Sequence, residues 1–241
     1  MLLAIDAGNS FVKWGYHDGR TWHAQQRAAL ADFCADPRHY LAIEAARGIV
    51  ANVAGDRLQA LLQSALPGVA LHWVQAEREA CGVSNAYAQA ERLGADRWAA
   101  LIGARAVTHE PCVVVSAGTA LTVDLLAEDG HFLGGAIAPG LQLMHEVLAG
   151  GTIAIQPSPG SVTPRPINTA DAVHTGVMYA LLGVIEKMAQ GFEEKVKRPV
   201  GCILTGGAAH KIAPYLNRPT QLVDNLVLEG LLLLAQKENR P

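Results

Sequence analysis

Two glycine-bearing segments of this 241-residue chain have the composition of a phosphate-binding turn. Each follows an apolar run that predicts a buried strand, and each continues into small residues with a hydroxyl or amide group. Glycine lets backbone N–H groups approach an anion closely, and a neighbouring hydroxyl adds a further donor. Taken singly, either segment fits an ordinary hairpin turn better. The first contains Ala7, Gly8, Asn9 and Ser10, and the second contains Ala117, Gly118 and Thr119.

Charged residues flank the first of these turns. Asp6 lies at the end of the preceding strand, where its carboxylate can bind Mg²⁺ directly or through water, because hard cations prefer oxygen ligands. Lys13, on the next strand, can return toward bound phosphates. The alternative for Asp6 is a hydrogen bond to nearby backbone. Because similar turns recur at a fixed spacing, we favour phosphate binding.

The segment from Leu93 to Trp98 places a carboxylate and a guanidinium at the start of a predicted helix. Gly94 leaves room for a ligand to approach the backbone, Asp96 can accept a proton from a substrate hydroxyl, and Arg97 can hold an anionic group. The same residues fit an ordinary helix start, in which Asp96 interacts favourably with the helix dipole and pairs with Arg92. Spacing alone favours the ordinary helix start.

Two further glycine-rich segments have open roles. Thr205-Gly206-Gly207 opens a predicted helix, and its backbone suits either a flat adenosine or a simple turn. The segment from Gly134 to Gly140 is either a close strand–helix junction beside a ligand or a bend. Neither segment decides between these alternatives by itself.

Composition and missing motifs exclude several classes of protein. Half of the residues are hydrophobic, 17% are charged and the net charge is −3. These values indicate a globular chain without the basic surface that sequence-independent nucleic-acid binding needs. The four cysteines form no CxxC pair, and no GxxxxGK[ST], GxGxxG, HExxH or GxSxG motif occurs. The first residues do not resemble a signal peptide and no run of about 20 apolar residues occurs, so we expect a cytoplasmic protein without a membrane span.

The elements that must position these residues come in two similar sets. The segments around Asp6 and Ser116 both predict a strand, a small-residue turn, a second strand and an Asp-Gly hairpin, at an offset of 110 or 111 residues. Each set continues with a strand that leads into a helix. Alternating strands and helices predict an α/β sheet, and the leading hairpins predict that it is mixed. We interpret the repeat as a duplication. The later strands are residues 48–53 and 200–207, and the helices that follow are residues 56–66 and 208–216.

Three longer helices are also predicted. Residues 94–107 and 225–237 have helical composition, and residues 170–189 carry an apolar stripe at spacings of three and four. Residues 156–166 contain four prolines and predict an irregular stretch.

Six motifs together resemble one family. They are Asp6-Ala7-Gly8-Asn9-Ser10 with Lys13, Leu93-Gly94-Ala95-Asp96-Arg97, the segment from Ala117 to Asp124, the segment from Gly134 to Gly140, Asn168-Thr169 with Gly176, and Thr205-Gly206-Gly207. In these motifs, and over about residues 2–235, the chain resembles the type III pantothenate kinases, relatives of the Bvg accessory factor proteins. The resemblance implies the α/β fold of acetate and sugar kinases, Hsp70 and actin (ASKHA), with two duplicated mixed-sheet halves around a nucleotide cleft. We expect the halves to be residues 1–109 and 110–241.

The resemblance also implies a reaction and a set of site residues. The reaction is ATP-dependent phosphorylation of the terminal hydroxyl of pantothenate, the first step toward coenzyme A, with Mg²⁺ as the metal and a homodimer as the assembly. Asp96 is implied as the proton acceptor and Asp6 as the metal ligand. Implied substrate contacts are Tyr87, Gly94, Ala95, Asp96, Arg97 and Thr169, the last expected from the partner subunit. Implied ATP contacts are Asp6, Ala7, Gly8, Asn9, Ser10, Phe11, Val12, Lys13, Gly118 and Thr119.

One position departs from the family pattern. The second turn usually begins with an aspartate that binds a monovalent cation, K⁺ or NH₄⁺, whereas this chain has Ser116. A hydroxyl is a much poorer cation ligand than a carboxylate. The cation is therefore bound weakly, replaced by other contacts, or not needed.

Two other functions stay open at this point. A non-catalytic, ligand-sensing regulator on the same fold is the main alternative, and Ser116 favours it. Against that alternative, Asp6 and Asp96, the two carboxylates that the chemistry most needs, are both present. Another small-molecule kinase of the same fold is disfavoured by the Gly-Ala-Asp-Arg and Asn-Thr motifs.

Overall fold

The computed structural model describes residues 1–41, 45–151 and 159–237. The chain divides into two compact units. The first unit contains residues 1–108, a short return at 129–131, and the C-terminal segment from Asn225. The second unit contains residues 109–128 and 132–224. The halves proposed as duplication products, 1–109 and 110–241, differ from these units mainly in the placement of the last helix.

A five-stranded mixed sheet forms the centre of the first unit. Its strand order is β3-β2-β1-β4-β5, with β1 antiparallel to β2 and parallel to β4. A small hairpin of β6 and β7 follows in the chain. The strands are β1 (Leu2–Ala7), β2 (Phe11–His17), β3 (Trp22–Ala29), β4 (Arg47–Asn52), β5 (Ala70–Trp73), β6 (Glu79–Ala80) and β7 (Val83–Asn85).

The described residues of the first unit also form five α-helices. They are α1 (Leu30–Ala35), α2 (Pro37–Tyr40), α3 (Asp56–Ala65), α4 (Ala95–Val107) and, from the end of the chain, α8 (Leu226–Lys237). One face of the sheet packs with α1 and α3 in an apolar core that includes Trp14, Phe33 and Leu62. Helix α8 packs against α4 and β1. A Cβ atom at Gly230 would overlap the backbone oxygen of Ala99, so the two helices need glycine where they cross.

The described residues of the second unit form five further strands and three α-helices. The strand order is β10-β9-β8-β11-β12, with β8 antiparallel to β9 and parallel to β11. Its core packs the long helix α6 on one face of the sheet, with Val115, Leu181 and Phe192 among the buried residues. The elements are β8 (Cys112–Ala117), β9 (Ala120–Leu126), β10 (His131–Pro139), α5 (Leu141–Gly151), α6 (Thr169–Val196), β11 (Gly201–Thr205), α7 (Ala209–Ile212) and β12 (Thr220–Leu222).

The five strands β3-β2-β1-β4-β5 of the first unit and the five strands β10-β9-β8-β11-β12 of the second have the same order and the same directions of pairing, which confirms the prediction of a duplicated fold with mixed sheets. The hydrogen bonds around the turns repeat as well. The carbonyl oxygen of Ala7 accepts a bond from Val53 N at 3.0 Å, and that of Ala117 accepts one from Ala208 N at 3.0 Å. In both units the last residue of the strand before the turn is therefore held by a backbone N–H that lies one to three residues beyond the parallel neighbouring strand.

The predicted helices are confirmed with small changes of boundary. Helix α4 covers the predicted 94–107 and α8 covers 225–237, while α6 continues seven residues beyond the predicted 189. Residues 208–216 form a short helix and a 3₁₀ turn. Of the predicted irregular stretch, residues 156–158 lie outside the described residues, and residues 159–166 have no helix or strand. No residue range was predicted for strands β3, β5, β6, β7, β10 and β12 or for helices α1, α2 and α5, although the predicted Asp-Gly hairpins imply the strands β3 and β10.

Candidate active site

Asp6 and Lys13 form a cross-strand pair at the end of the first sheet. They lie opposite each other in the β1–β2 register, and Lys13 Nζ is 3.8 Å from Asp6 Oδ2. Asp6 is only 8% exposed. Burial raises the pKa of Asp6 to about 6, opposed by the charge of Lys13 and assisted by that of Asp96. A poorly solvated carboxylate favours a bound cation, because the cation stabilises the charged form that burial disfavours.

The turn after Asp6 is closed by a hydrogen bond from Gly8 N to Phe11 O at 3.1 Å. A Cβ atom at position 8 would lie 3.2 Å from that same oxygen, so the turn has little space for a side chain. Asn9 is exposed, and Ser10 is half-buried. Ala7 and Val12 are fully buried in the core, so neither of these implied ATP contacts presents an exposed surface to a nucleotide.

Asp96 lies in the first turn of α4, which begins after Gly94. Its Oδ1 accepts a hydrogen bond from Arg97 N at 2.8 Å. The alternative pair with Arg92 is absent among the ion pairs of the described residues. The charge of Asp96 raises the pKa of Asp6, so the two carboxylates of the first unit interact electrostatically.

Arg97 connects Asp96 to the predicted substrate residue Tyr87. Its side chain is nearly buried, at 6% exposure, and Nη1 donates to the Tyr87 hydroxyl oxygen at 2.9 Å. The guanidinium carbon lies 5.7 Å from the centre of the Tyr87 ring. A buried guanidinium with an aromatic face beside it can hold a carboxylate or a carbonyl group of a substrate.

The second turn lies between β8 and β9, where Gly118 and Thr119 are exposed. Gly118 N donates to Ala120 O at 3.0 Å, and Thr119 O accepts from Gly140 N at 2.8 Å. A Cβ atom at Gly140 would overlap the backbone oxygen of Gly118. The segment from Gly134 to Gly140 therefore ends in a close backbone contact that supports the turn.

Gly206 supports the second turn from the other side. Its φ is +100°, and a Cβ atom there would lie 2.5 Å from the backbone oxygen of Ala117. A side chain is excluded on both counts. The segment from Gly134 to Gly140 and the segment Thr205-Gly206-Gly207 therefore each contain a glycine that packs against the second turn. This packing role does not depend on whether they also bind a ligand.

Thr169 belongs to a different feature of the second unit. It is the exposed first residue of α6, and Asn168 caps this helix by accepting a bond from Asp171 N at 2.9 Å. Thr169 lines a cavity of about 600 Å³ together with Leu148, Pro166 and Ile167. Ile167 is 95% exposed.

The carboxylate of Asp6 fits a metal ion whose other ligands are water and phosphate oxygens. Within the described ranges, no three His, Cys, Asp or Glu side chains are grouped so that they could hold a metal ion. Asp6 supplies a buried carboxylate, the hard ligand that Mg²⁺ prefers, and Mg²⁺ commonly completes its coordination with water and phosphate oxygens. The residues present therefore fit an ATP-bound Mg²⁺.

The first unit pairs Asp6 with Lys13, holds Asp96 where its charge raises the pKa of Asp6, and joins Arg97 to Tyr87. The second unit holds the Gly118-Thr119 turn and, on α6, Thr169. Sequence reasoning missed Arg78 and Asn85, whose side chains hold the segment that carries Tyr87. The only available signal was that Asn85 stands two residues before an implied substrate residue.

A family model described as type III pantothenate kinase matches residues 2–191. The chain belongs to the type III pantothenate kinase family. A type III pantothenate kinase from Aromatoleum aromaticum is 44% identical over 242 residues, which cover 99% of this chain and 99% of that protein. The family assignment thus extends over almost the whole chain.

Solved structures agree on the fold of this type III pantothenate kinase family member. A Campylobacter jejuni protein described as a Baf family transcriptional activator has a TM-score of 0.64 at 21% identity, with 99% of this chain and 100% of that chain covered. A Sinorhizobium meliloti protein described as a 2-dehydro-3-deoxygalactonokinase also has a TM-score of 0.64, at 15% identity, with full coverage of both chains. At these identities the likeness shows the fold alone, which is the duplicated actin-like α/β fold.

The members of this family are kinases, which implies ATP as the phosphoryl donor and a divalent metal as the cofactor. In the part of the chain that the structure describes, every helix is too short or too polar to cross a membrane.

Proposed function

We propose that this protein phosphorylates pantothenate with ATP to give 4'-phosphopantothenate, the first step of coenzyme A biosynthesis. Membership of the type III pantothenate kinase family is the observation that carries the proposal. The neighbouring carboxylates of Asp6 and Asp96 support it, because phosphoryl transfer to an alcohol uses one carboxylate near the metal and one near the hydroxyl.

In the proposed reaction, Asp96 orients the pantothenate hydroxyl and accepts its proton as the oxygen attacks the γ-phosphorus and ADP leaves. Arg97 and Tyr87 hold the rest of the substrate. Backbone N–H groups of the two glycine turns and Lys13 bind the triphosphate. Mg²⁺, held by Asp6, would neutralise charge on the phosphates. Positioning supplies most of the rate, and the general base adds about 10²–10⁴-fold.

We further propose that turnover depends little on a monovalent cation. Ser116 replaces the aspartate that the family pattern places there. In register beside Ser116 stand Thr122 on β9 and Thr205 on β11, so three neutral hydroxyl residues form this row of the sheet. Neutral hydroxyls bind K⁺ or NH₄⁺ more weakly than a carboxylate does.

Helices α5 and α6 support the proposal of a homodimer. Val147, Ile167 and Tyr179 are large and exposed on or beside these helices, and a second copy of the chain would remove their apolar surface from water. Thr169 lies on the same part of the unit, which fits the expectation that it reaches the pantothenate site of the partner subunit. Sedimentation equilibrium tests this assembly. A cytoplasmic location stays a prediction.

A coupled ADP-release assay tests the proposed function. ADP release that requires pantothenate, at similar rates with Na⁺, K⁺ or NH₄⁺, is the expected result. Strong activation by K⁺ or NH₄⁺ would contradict only the proposal about Ser116. No pantothenate-dependent ADP with any cation would favour the regulator, and turnover only with another alcohol would favour a different small-molecule kinase.

A further inference from the structure

Arg78 holds the backbone of the segment that carries Tyr87. It lies immediately before β6, and its guanidinium donates from Nη1 to Tyr87 O at 2.7 Å and from Nη2 to Ala88 O at 2.6 Å. Two donors of one planar group thus bind two successive carbonyl oxygens. Such a fork fixes the direction of the peptide as well as its distance, which a single ammonium group does not do.

Asn85 holds the same segment from inside the unit. It is only 4% exposed, and its Oδ1 accepts a bond from Tyr87 N at 3.0 Å. Its Nδ2 donates to Glu77 O at 3.3 Å and to Ala90 O at 3.1 Å. Both the N–H and the carbonyl group of Tyr87 are therefore bound by side chains of the first unit.

Residues 86–89 have no helix or strand of their own. Ordering a residue outside regular structure costs about 1–2 kcal/mol of backbone entropy, so such a segment needs side chains to fix it. With its backbone held, Tyr87 presents its hydroxyl to Arg97 Nη1. A continuous chain of contacts thus runs from Arg78 through Tyr87 and Arg97 to Asp96.

We propose that Arg78 is a positioning residue for substrate binding, which acts through Tyr87 on the orientation of Arg97. This inference rests on the proposed function. Arg78 is exposed, so its bonds contribute little to the stability of the whole unit. Its loss therefore changes how the substrate is held more than whether the protein folds.

The first test compares Arg78→Met with wild type in the ADP-release assay. The KM for pantothenate rises about tenfold, as expected for lost hydrogen bonds of this kind, while the KM for ATP and the melting temperature stay near the wild-type values. Arg38→Met is the matched control, since Arg38 is an exposed arginine of the same unit and donates to the backbone oxygen of Ser64. It leaves both KM values unchanged. Arg78→Lys restores the KM only in part.

A double-mutant cycle tests the route through Tyr87. Tyr87→Phe removes the hydroxyl that meets Arg97, so adding Arg78→Met to Tyr87→Phe raises the KM for pantothenate much less than it does in wild type. Isothermal titration with pantothenate gives the same comparison as dissociation constants. Fully additive effects would overturn the route.

The outcomes separate this inference from the proposed function. If wild type does not turn over pantothenate, the proposed function fails. If wild type is active and Arg78→Met matches Arg38→Met, the role of Arg78 is wrong. A large loss of melting temperature in Arg78→Met, with the KM values for ATP and pantothenate changed alike, would also overturn it, because that result describes a purely structural residue.

Discussion

A Cβ atom at position 94 would lie 2.7 Å from Oδ1 of Asp96. Gly94 thus provides the space in which the Asp96 carboxylate folds back over the start of α4 and accepts the Arg97 N–H. The φ of Gly94 is −54°, a value open to any residue, so the glycine is needed for space and not for backbone conformation.

Gly94→Ala is therefore expected to move the Asp96 carboxylate without unfolding the unit. We expect kcat to fall about tenfold, since displacement of a general base removes part of its contribution. Gly68→Ala is the control, because a Cβ atom at position 68 meets nothing within 4 Å. Steady-state kinetics on both variants measure the effect, and equal kcat values would contradict the role given to Gly94.

Asp96→Asn tests the general base itself. The amide cannot take the hydroxyl proton, so kcat should fall by at least about tenfold, and by as much as about 10⁴-fold. Asp56→Asn is a suitable control, since Asp56 is also in the first turn of a helix of the first unit that follows a glycine. The control should retain wild-type kcat, and circular dichroism should show that both variants fold. Wild-type kcat in Asp96→Asn would remove Asp96 from this role.

Gly140→Ala and Gly206→Ala are expected to disrupt the second turn. Each new methyl group would overlap the turn's backbone, and Gly206 also has a φ that alanine avoids. Overpacking of this kind costs about 1–3 kcal/mol, and the turn that we propose to bind phosphate must shift. We expect a higher KM for ATP and a lower melting temperature. Gly183→Ala, on the exposed face of α6 with open space around it, should instead stabilise the protein by up to about 1 kcal/mol.

Arg218 is expected to be the arginine on which the second unit depends most. Its side chain is 7% exposed, pairs with Glu186 and Glu193 on α6, and donates to Val200 O. Arg218→Met leaves these partners half-buried without a cation and should cost about 3 kcal/mol in urea unfolding. Arg198→Met removes an exposed arginine that also pairs with two glutamates, Glu110 and Glu128, and should cost at most about 1 kcal/mol. Similar losses in both would contradict this ranking.

Glu193 should make the second unit sensitive to acid. The hydrogen bond from Val200 N, with help from Arg218, lowers the pKa of Glu193 below its ordinary value. A lowered pKa in the folded state stabilises the protein above the unfolded pKa, and that contribution is lost as the pH falls through the folded pKa. We expect Glu193→Gln to be less stable than wild type at pH 7 and to lose less stability on acidification. Urea titrations at several pH values measure the difference.

The similar segments around Asp6 and Ser116 predicted most of the architecture, because buried strands and small-residue turns are visible as local sequence patterns. The strands that were missed are short or exposed. Strand β3, for example, carries mostly half-buried or exposed residues, so its hydrophobic alternation is weak. Pairing with β2 decides its structure, and a pairing partner is not visible in a local pattern.

The candidate site shows the same limit. Asp96 was found because a motif surrounds it, although spacing alone favoured an ordinary helix start. The support that Gly140 and Gly206 give to the second turn depends on contacts between segments that are distant in the chain. The bonds of Arg78 and Asn85 to Tyr87 join residues only nine and two positions apart, but they hold a segment without helix or strand. Neither kind of contact follows from a helical or strand repeat in the sequence.

Helix α8 has a consequence for how the chain reaches its folded state. This helix is translated after the whole of the second unit, yet it packs on α4 and β1 of the first. It contacts the backbone at Gly103 and Ala99 so closely that a Cβ atom at Gly103 or Gly230 would overlap the other helix. A nascent chain on the ribosome therefore holds Asp6 and Asp96 in an unfinished scaffold until α8 emerges. Premature termination shortly before α8 would consequently damage the first unit rather than the second.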